Sequence, residues 1–348
     1  MTLSRRLLGQ SLIAAGAGLS AAVGAQPAAR RPAPLLPRRL QPGDTLALVS
    51  PAKATFEREP YAIATEALQA LGFKVREAPN LRARWGKFGG TDEQRAADLN
   101  AMFADDSVAG IVAMTGGSGC NRIVDKLDYR LIAAKPKYFG GFSDITCLIN
   151  AMQRQTGLVT FHAPVAESEW NAFSVAHWRA LVMEGQAALL KNPTGERGDN
   201  LVQKDDRIST LRGGRARGHL VGGNLAVLAS LVGTPYFPDC RGAILFLEEI
   251  NEYIYRVERM LSTLRLSGAL AQLSGVVIGK FTKCEPGDGY ASHTLDETFD
   301  DYFLPLNVPV YRGAMIGHIK RKFTIPVGAE AEIDADAGTL KILRPVVS

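Results

Sequence analysis

Gly140-Gly141-Phe142-Ser143-Asp144 sets a serine hydroxyl just after a glycine pair, between an apolar run and a helical pattern that starts at Ile145. A small residue ahead of the serine lets a sharp strand-to-helix turn close and lift the side chain clear of a sheet, which is what a serine nucleophile needs. The G-x-S-x-G form is incomplete, because Ile145 stands in place of the second glycine. The same residues also read as a helix N-cap, with Ser143 or Asp144 satisfying open N–H groups. Upstream, Gly116-Gly117-Ser118-Gly119 offers unobstructed backbone N–H groups to an anion. That suits an oxyanion hole, with Asp144 N–H as a second donor, or a phosphate at a helix start, or a turn with no ligand. No lysine follows in P-loop spacing and G-x-G-x-x-G is absent, so nucleotide binding is the weaker option.

A hydrolytic serine also needs a base and an acid to orient that base. The histidines are His162, His177, His219, His293 and His318. His177 lies in a polar amphipathic stretch and reads as surface. His162 follows a short strand and fits either a core or a pocket. His318 closes the apolar, glycine-flanked run Gly313-Ala314-Met315-Ile316-Gly317, where an imidazole has room to approach a neighbouring domain. Glu248 and Glu249 end an apolar strand. Adjacent strand residues point to opposite faces, so the two carboxylates do not form one acid–base pair. The chain order Ser143…Glu248…His318 is the order seen in one group of serine hydrolases.

The elements that must hold these residues alternate between strand and helix. Thr45–Val49, Lys74–Glu77, Gly110–Met114, Tyr138–Phe142 and Val159–His162 are strand-like. Tyr61–Leu71 has helical spacing and stops at Gly72, a C-cap signal. Thr91-Asp92-Glu93-Gln94 opens a second helix as a capping box. This pattern implies a mostly parallel sheet covered on both faces, with ligands beyond the carboxyl ends of its strands. Gly116–Gly119 and Ser143 both fall at such ends. A looser stretch from 167 to 217 reads as an inter-domain connection. Beyond it the sequence predicts a helix after Gly222-Gly223-Asn224, a strand at Ala243–Leu247, a helix at Val257–Leu264 and a strand at Gly275–Phe281. A terminal hairpin then turns at Asp336-Ala337-Gly338.

Of 348 residues, 40 are Lys or Arg and 35 are Asp or Glu, giving a formal charge of +5. Six of the arginines (Arg5, Arg6, Arg30, Arg31, Arg38, Arg39) lie before residue 41, where there is no acid, so the body carries 34 basic against 35 acidic residues. The near-neutral body argues against a nucleic-acid partner. Ser4-Arg5-Arg6-Leu7-Leu8 resembles a twin-arginine export signal, followed by an Ala/Gly-rich apolar run from Leu12 to Val23 that is too short and weakly apolar for a stable membrane span. Cleavage before Gln26 is plausible from the small residues at Val23 and Ala25. The expected organisation is a signal at 1–25, a Pro/Arg-rich tether at 26–40, a nucleophile domain at 41–166, the connection at 167–217 and a C-terminal domain at 218–348. Cys120, Cys147, Cys240 and Cys284 are scattered, with no C-x-x-C pair. They suggest no zinc or thioredoxin-like site and read as buried thiols, with one disulfide left open.

Taken in order, Pro42-Gly43-Asp44, Val49-Ser50-Pro51-Ala52, Gly90 to Leu99 (GTDEQRAADL), Gly116–Gly119, Gly141-Phe142-Ser143-Asp144, Gly222-Gly223-Asn224-Leu225, Leu245-Phe246-Leu247-Glu248-Glu249 and Gly317-His318 resemble the LD-carboxypeptidase family. That family includes muramoyltetrapeptide carboxypeptidases and microcin C immunity peptidases. The resemblance runs from about Leu40 to Leu343. It implies a Rossmann-like α/β N-terminal domain, a smaller β-rich C-terminal domain, and an active site between them. It further implies Ser143 as nucleophile, Glu248 as acid, His318 as base, and Gly117 and Asp144 as oxyanion-hole donors, with Gly116, Ser118 and Asn224 as substrate-binding candidates. No metal or cofactor is implied, and members are often dimeric. The chain departs from the family where Thr115-Gly116-Gly117-Ser118-Gly119 replaces the frequent Arg-Gly-Gly-Tyr-Gly. It departs again in carrying a leader, whereas the best-known members act in the cytoplasm.

The expected function is a periplasmic serine carboxypeptidase that releases a terminal D-amino acid from a murein tetrapeptide through an acyl-enzyme. One alternative is an immunity peptidase acting on a peptidyl-nucleotide, which an aromatic platform at Trp170 or Trp178 would favour. The other is a non-catalytic binding protein for muropeptides, which a large distance between Ser143 and His318 with no domain closure to bridge it would favour.

Overall fold

The computed structural model describes residues 34–287 and 293–348. The segment 1–25, expected to be an export signal, and most of the expected tether lie outside the described residues. In chain order the first elements are β1 (Thr45–Val49), α1 (Glu59–Ala70), β2 (Lys74–Glu77), α2 (Asp92–Ala104), β3 (Val108–Ala113), α3 (Tyr129–Ala134), β4 (Tyr138–Gly141), α4 (Thr146–Thr156) and β5 (Thr160–His162). There follow α5 (Ala172–Val182), β6 (Leu189–Lys191), β7 (Ser209–Arg212), β8 (Arg215–Asn224), α6 (Leu225–Ser230), β9 (Ile244–Ile250) and α7 (Ile254–Leu266). The last are β10 (Gly275–Thr282), α8 (Leu295–Phe303), β11 (Val310–Arg312), β12 (Ile325–Val327), β13 (Glu330–Asp334) and β14 (Thr339–Ile342).

Two sheets result, within the mixed α/β fold that the residue pattern implies. The first has the order β12-β5-β4-β3-β1-β2, with β1 to β5 parallel and β12 antiparallel at one edge. Its central strands β3 and β4 are buried along their whole length, as parallel strands covered on both faces must be. The strand order reverses between β1 and β3, so the crevice beyond their carboxyl ends is where a doubly wound sheet takes ligands. Gly116–Gly119 follows β3 at that crevice, and Ser143 follows β4 next to it.

The second sheet has the order β6-β14-β13-β8-β9-β10-β11-β7. Strands β8 to β11 are mutually parallel, and antiparallel strands close both sides. The predicted terminal hairpin is β13–β14. Strand β9 does not stop at Leu247 but continues through Glu248 and Glu249 to Ile250, which holds both carboxylates on rigid backbone.

Two boundaries differ from the sequence expectation. The tether does not run free to Leu40: Leu35 bridges Leu158, Leu40 N–H donates to Val182 O, and Leu40 is only 1% exposed. Leucines at 35, 36 and 40 give this proline-rich end enough apolar surface to pack on the body. Nor is 167–217 a bare connection, since it contains α5, β6, β7 and the start of β8, with β6 and β7 as the two edges of the second sheet. Short edge strands draw their stability from backbone pairing across the fold, so they leave little hydrophobic periodicity to read. Among the described residues, no helix is long and apolar enough to cross a membrane. The four cysteines are buried free thiols.

Helix α2 begins with the capping box the sequence predicts: Thr91 Oγ1 accepts from Gln94 N–H at 3.3 Å, and Gln94 Oε1 accepts from Thr91 N–H at 2.9 Å. Thr91→Ala is expected to cost about 1 kcal/mol, read as a lower midpoint in urea denaturation with unchanged slope.

Candidate active site

Strand β4 ends in Gly140-Gly141, and the chain turns through a single 3₁₀ turn, Ser143–Ile145, into α4. Ser143 sits in that turn with φ +64°, a left-handed conformation rarely adopted by a residue carrying a Cβ. The turn closes because its neighbours are small. A Cβ on Gly116 would lie 2.7 Å from Ser143 Cβ and 2.9 Å from its Oγ. The serine is therefore both strained and pinned, and its hydroxyl projects beyond the sheet edge.

His318 meets it from the second half of the chain. His318 Nε2 lies 3.0 Å from Ser143 Oγ, and His318 Nδ1 lies 2.7 Å from Glu248 Oε2. Against a carboxylate, Nδ1 carries the proton and donates it to Glu248, which leaves Nε2 as the acceptor of the serine O–H. Glu248 is 0% exposed and, among the described residues, its Oε1 has no hydrogen-bond partner. Gly317 makes the approach possible: its φ is +131°, and a Cβ there would come within 3.1 Å of Glu248 Cβ and Oε2. Hydroxyl, imidazole and buried carboxylate in line can deprotonate the serine as it attacks and stabilise the resulting imidazolium. With 3.0 Å between Ser143 and His318, the separation that would favour the binding-protein alternative is absent.

Gly222-Gly223-Asn224 locks the two sheets together behind this group. Asn224 N–H donates to Thr146 Oγ1 at 3.0 Å, and Asn150 Nδ2 donates to Gly222 O at 2.8 Å. A Cβ on Gly223 would lie 2.5 Å from Thr146 Oγ1, so the strand can dock on α4 only as glycine. Asn224, a substrate-binding candidate from the sequence, has structural partners of its own here. Its Oδ1 caps α6 at Val227 N–H, and its Nδ2 donates to Glu249 Oε1 at 2.8 Å.

Glu249 lies on the opposite face of β9 from Glu248, as the strand pleat demands. It accepts from Ala226 N–H at 2.7 Å and Ile250 N–H at 2.8 Å. Burial pushes its carboxyl up to about 7, against the pull of those hydrogen bonds. It braces α6 and takes no part in the serine–histidine line.

In the loop after β3, Gly116 is buried against Ser143, Gly117 is exposed with φ +113°, and Ser118 is partly exposed. Asp144 folds its carboxylate inward to accept from Cys120 N–H at 2.8 Å, and burial raises its pKa. Two residues here carry no obvious signal in the sequence. Arg95, on the buried face of α2, donates to Pro51 O at 2.6 Å and Gly119 O at 2.9 Å, tying together the loops after β1 and β3. Its position on the buried face of α2, beside Ala96, Leu99, Met102 and Phe103, is the only hint of it. The other is Lys322, 6% exposed, with its Nζ 3.8 Å from the centroid of the Phe142 ring.

His162 resolves as a residue beneath the site. It is 1% exposed, packs edge-on against Phe142 and Phe246, and burial lowers its pKa to about 3, with Lys322 and His318 adding to the effect. It stays neutral and makes no contact with Ser143. His177 is half-buried against Phe173 and Phe323 rather than on the surface, because α5 packs closer to the body than its polarity suggests. Trp178 is wholly buried, and Trp170 packs edge-on against it with its indole N–H donating to Ala166 O.

A doubly wound sheet joined to a second sheet, with serine, histidine and buried glutamate converging between their strand ends, defines a serine-type hydrolase. Family models for the LD-carboxypeptidase N-terminal and C-terminal domains match residues 46–163 and 217–333. The chain belongs to the LD-carboxypeptidase family, and it is an enzyme, a serine-type carboxypeptidase. It is 34% identical over 313 residues to a probable murein peptide carboxypeptidase of Bacillus subtilis, spanning 88% of this chain and 93% of that one. It is 32% identical over 308 residues to the murein tetrapeptide carboxypeptidase of Pseudomonas aeruginosa, spanning 84% and 93%. Among solved structures it superposes on an MccF-like protein from Bacillus anthracis with a TM-score of 0.79 at 26% identity, covering 89% of this chain and 99% of that one.

Proposed function

We propose that this enzyme hydrolyses the L,D amide bond of murein-derived tetrapeptides and releases the terminal D-alanine. The observation that carries the reading is the continuous line Ser143 Oγ–His318 Nε2–Glu248 Oε2 at 3.0 and 2.7 Å, together with the murein-directed relatives. His318 accepts the Ser143 proton as Oγ attacks the carbonyl carbon of the penultimate residue. Glu248 orients the imidazole and offsets its charge. The N–H groups of Gly117 and Asp144 bind the oxyanion, each such donor contributing about 3–4 kcal/mol to lowering the barrier. The imidazolium then protonates the leaving amine. Water, deprotonated by His318, hydrolyses the acyl-enzyme and restores Ser143. Export by the twin-arginine route, supported by Ser4-Arg5-Arg6-Leu7-Leu8 and the apolar run after it, puts this activity in the periplasm.

Incubating the chain with a defined murein tetrapeptide, and with the same peptide ending in L-alanine, tests the substrate. D-Alanine is expected to be released from the first peptide, with the second left intact when products are followed by mass. Preferential cleavage of a peptidyl-nucleotide amide over the tetrapeptide would move the assignment to an immunity peptidase.

A further inference from the structure

Among the described residues, the ammonium of Lys322 has no anionic partner within ion-pair distance. The residue lies four positions after His318 on the segment leading into β12 and is 6% exposed. Among the described residues its Nζ makes no hydrogen bond or ion pair. It sits over the ring of Phe142, 3.8 Å from Nζ to the centroid, and Phe142 is the residue immediately before Ser143. The His318 ring packs against the same phenyl group at 4.9 Å. The charged or titratable groups facing Lys322 are Glu248 on β9, His162 on β5 and Glu169 on the loop that follows β5. None of them neutralises it. Glu248 is engaged by His318, His162 is held neutral by burial, and exposed Glu169 pairs with Lys320 at 3.2 Å.

Burying an ammonium without a counter-charge is costly, and a cation–π contact offsets only part of that cost. Burial accordingly lowers the Lys322 pKa to about 8. A buried cation packed on the residue that precedes the nucleophile, left without an anion by the described residues, is suited to one brought by the ligand. Every carboxypeptidase substrate brings such an anion: its terminal carboxylate carbon is two bonds beyond the scissile nitrogen. We propose that Lys322 is the receptor for the terminal carboxylate of the substrate and the residue that restricts cleavage to the chain end. This assignment rests on the reading of the enzyme as a Ser143-dependent LD-carboxypeptidase. The competing cation is Lys53, whose stem runs along Gly117, but it is exposed and must be immobilised on binding, whereas Lys322 is already fixed.

The test compares a tetrapeptide bearing a free terminal carboxylate with its C-terminal amide. Wild-type enzyme is expected to favour the acid by about 100-fold in kcat/KM, the size of losing one partner of a buried charge pair. Lys322→Met is expected to bring that ratio close to one, chiefly through KM, while Lys53→Met retains it. A general structural defect would lower both substrates together and leave the ratio intact. The assignment is overturned if wild-type enzyme cleaves acid and amide equally, a result that needs no variant to fold, or if the preference survives in Lys322→Met or is lost instead in Lys53→Met. In those cases Ser143-dependent release of D-alanine still stands. Release of no D-amino acid from either substrate would overturn the carboxypeptidase reading, and the role of Lys322 with it.

Discussion

Ser143→Ala is expected to lower kcat for D-alanine release by about 10⁶-fold, and His318→Ala by about as much, because the hydroxyl and its base act as one unit. Glu248→Gln is expected to cost about 10⁴-fold. An amide in that position still fills the buried space beside His318 but no longer holds the Nδ1 proton, so the imidazole takes the wrong tautomer for accepting the serine proton. The double variant Ser143→Ala/His318→Ala is expected to lose little beyond either single change. Stopped assays with chiral detection of alanine give the rates, and thermal melts show whether each variant is folded. Ser143 is in a strained turn with φ +64°, and alanine there keeps the same Cβ, so the fold should be preserved. A Ser143→Ala enzyme with a tenth of wild-type activity would end the serine mechanism.

Gly116→Ala is expected to reduce kcat/KM by about 100-fold or more while leaving a folded protein. The added methyl would be 2.7 Å from Ser143 Cβ and 2.9 Å from Oγ, so the nucleophile or the loop after β3 must move. Misplacement of a reacting group by about 1 Å is enough for a loss of this size. A serine-reactive phosphonate should label the variant correspondingly slowly, which separates a displaced nucleophile from weaker substrate binding. Wild-type labelling and turnover would show that the glycine does not set the position of the serine.

Much of the first sheet is legible from local pattern. Short buried strands separated by amphipathic helices have their own periodicities, and the Thr91–Gln94 capping box is a purely local device. The short edge strands β6, β7 and β12 are not, since they depend on backbone partners far away in sequence. Local pattern also left open which of the two adjacent glutamates faces the cleft, and whether His162 or His318 belongs to it. Arg95 and Lys322 carry no local mark of their placement, since a charged residue in a sequence gives no sign of being buried.

Residue types and their spacing carry the order Ser143…Glu248…His318, the small-residue turn before the serine, the open glycine loop after β3 and the family to which these segments point. Those features are encoded by residue type at short range, where steric and hydrogen-bonding rules act directly on neighbouring residues. It takes the packed fold to bring Glu248 on β9 to His318 and to turn Glu249 toward α6. That fold also decides that Asn224 caps a helix, and that Lys322 is left unpaired, among the described residues, next to Phe142. Each of those outcomes depends on which groups packing removes from water and which partners it brings within reach.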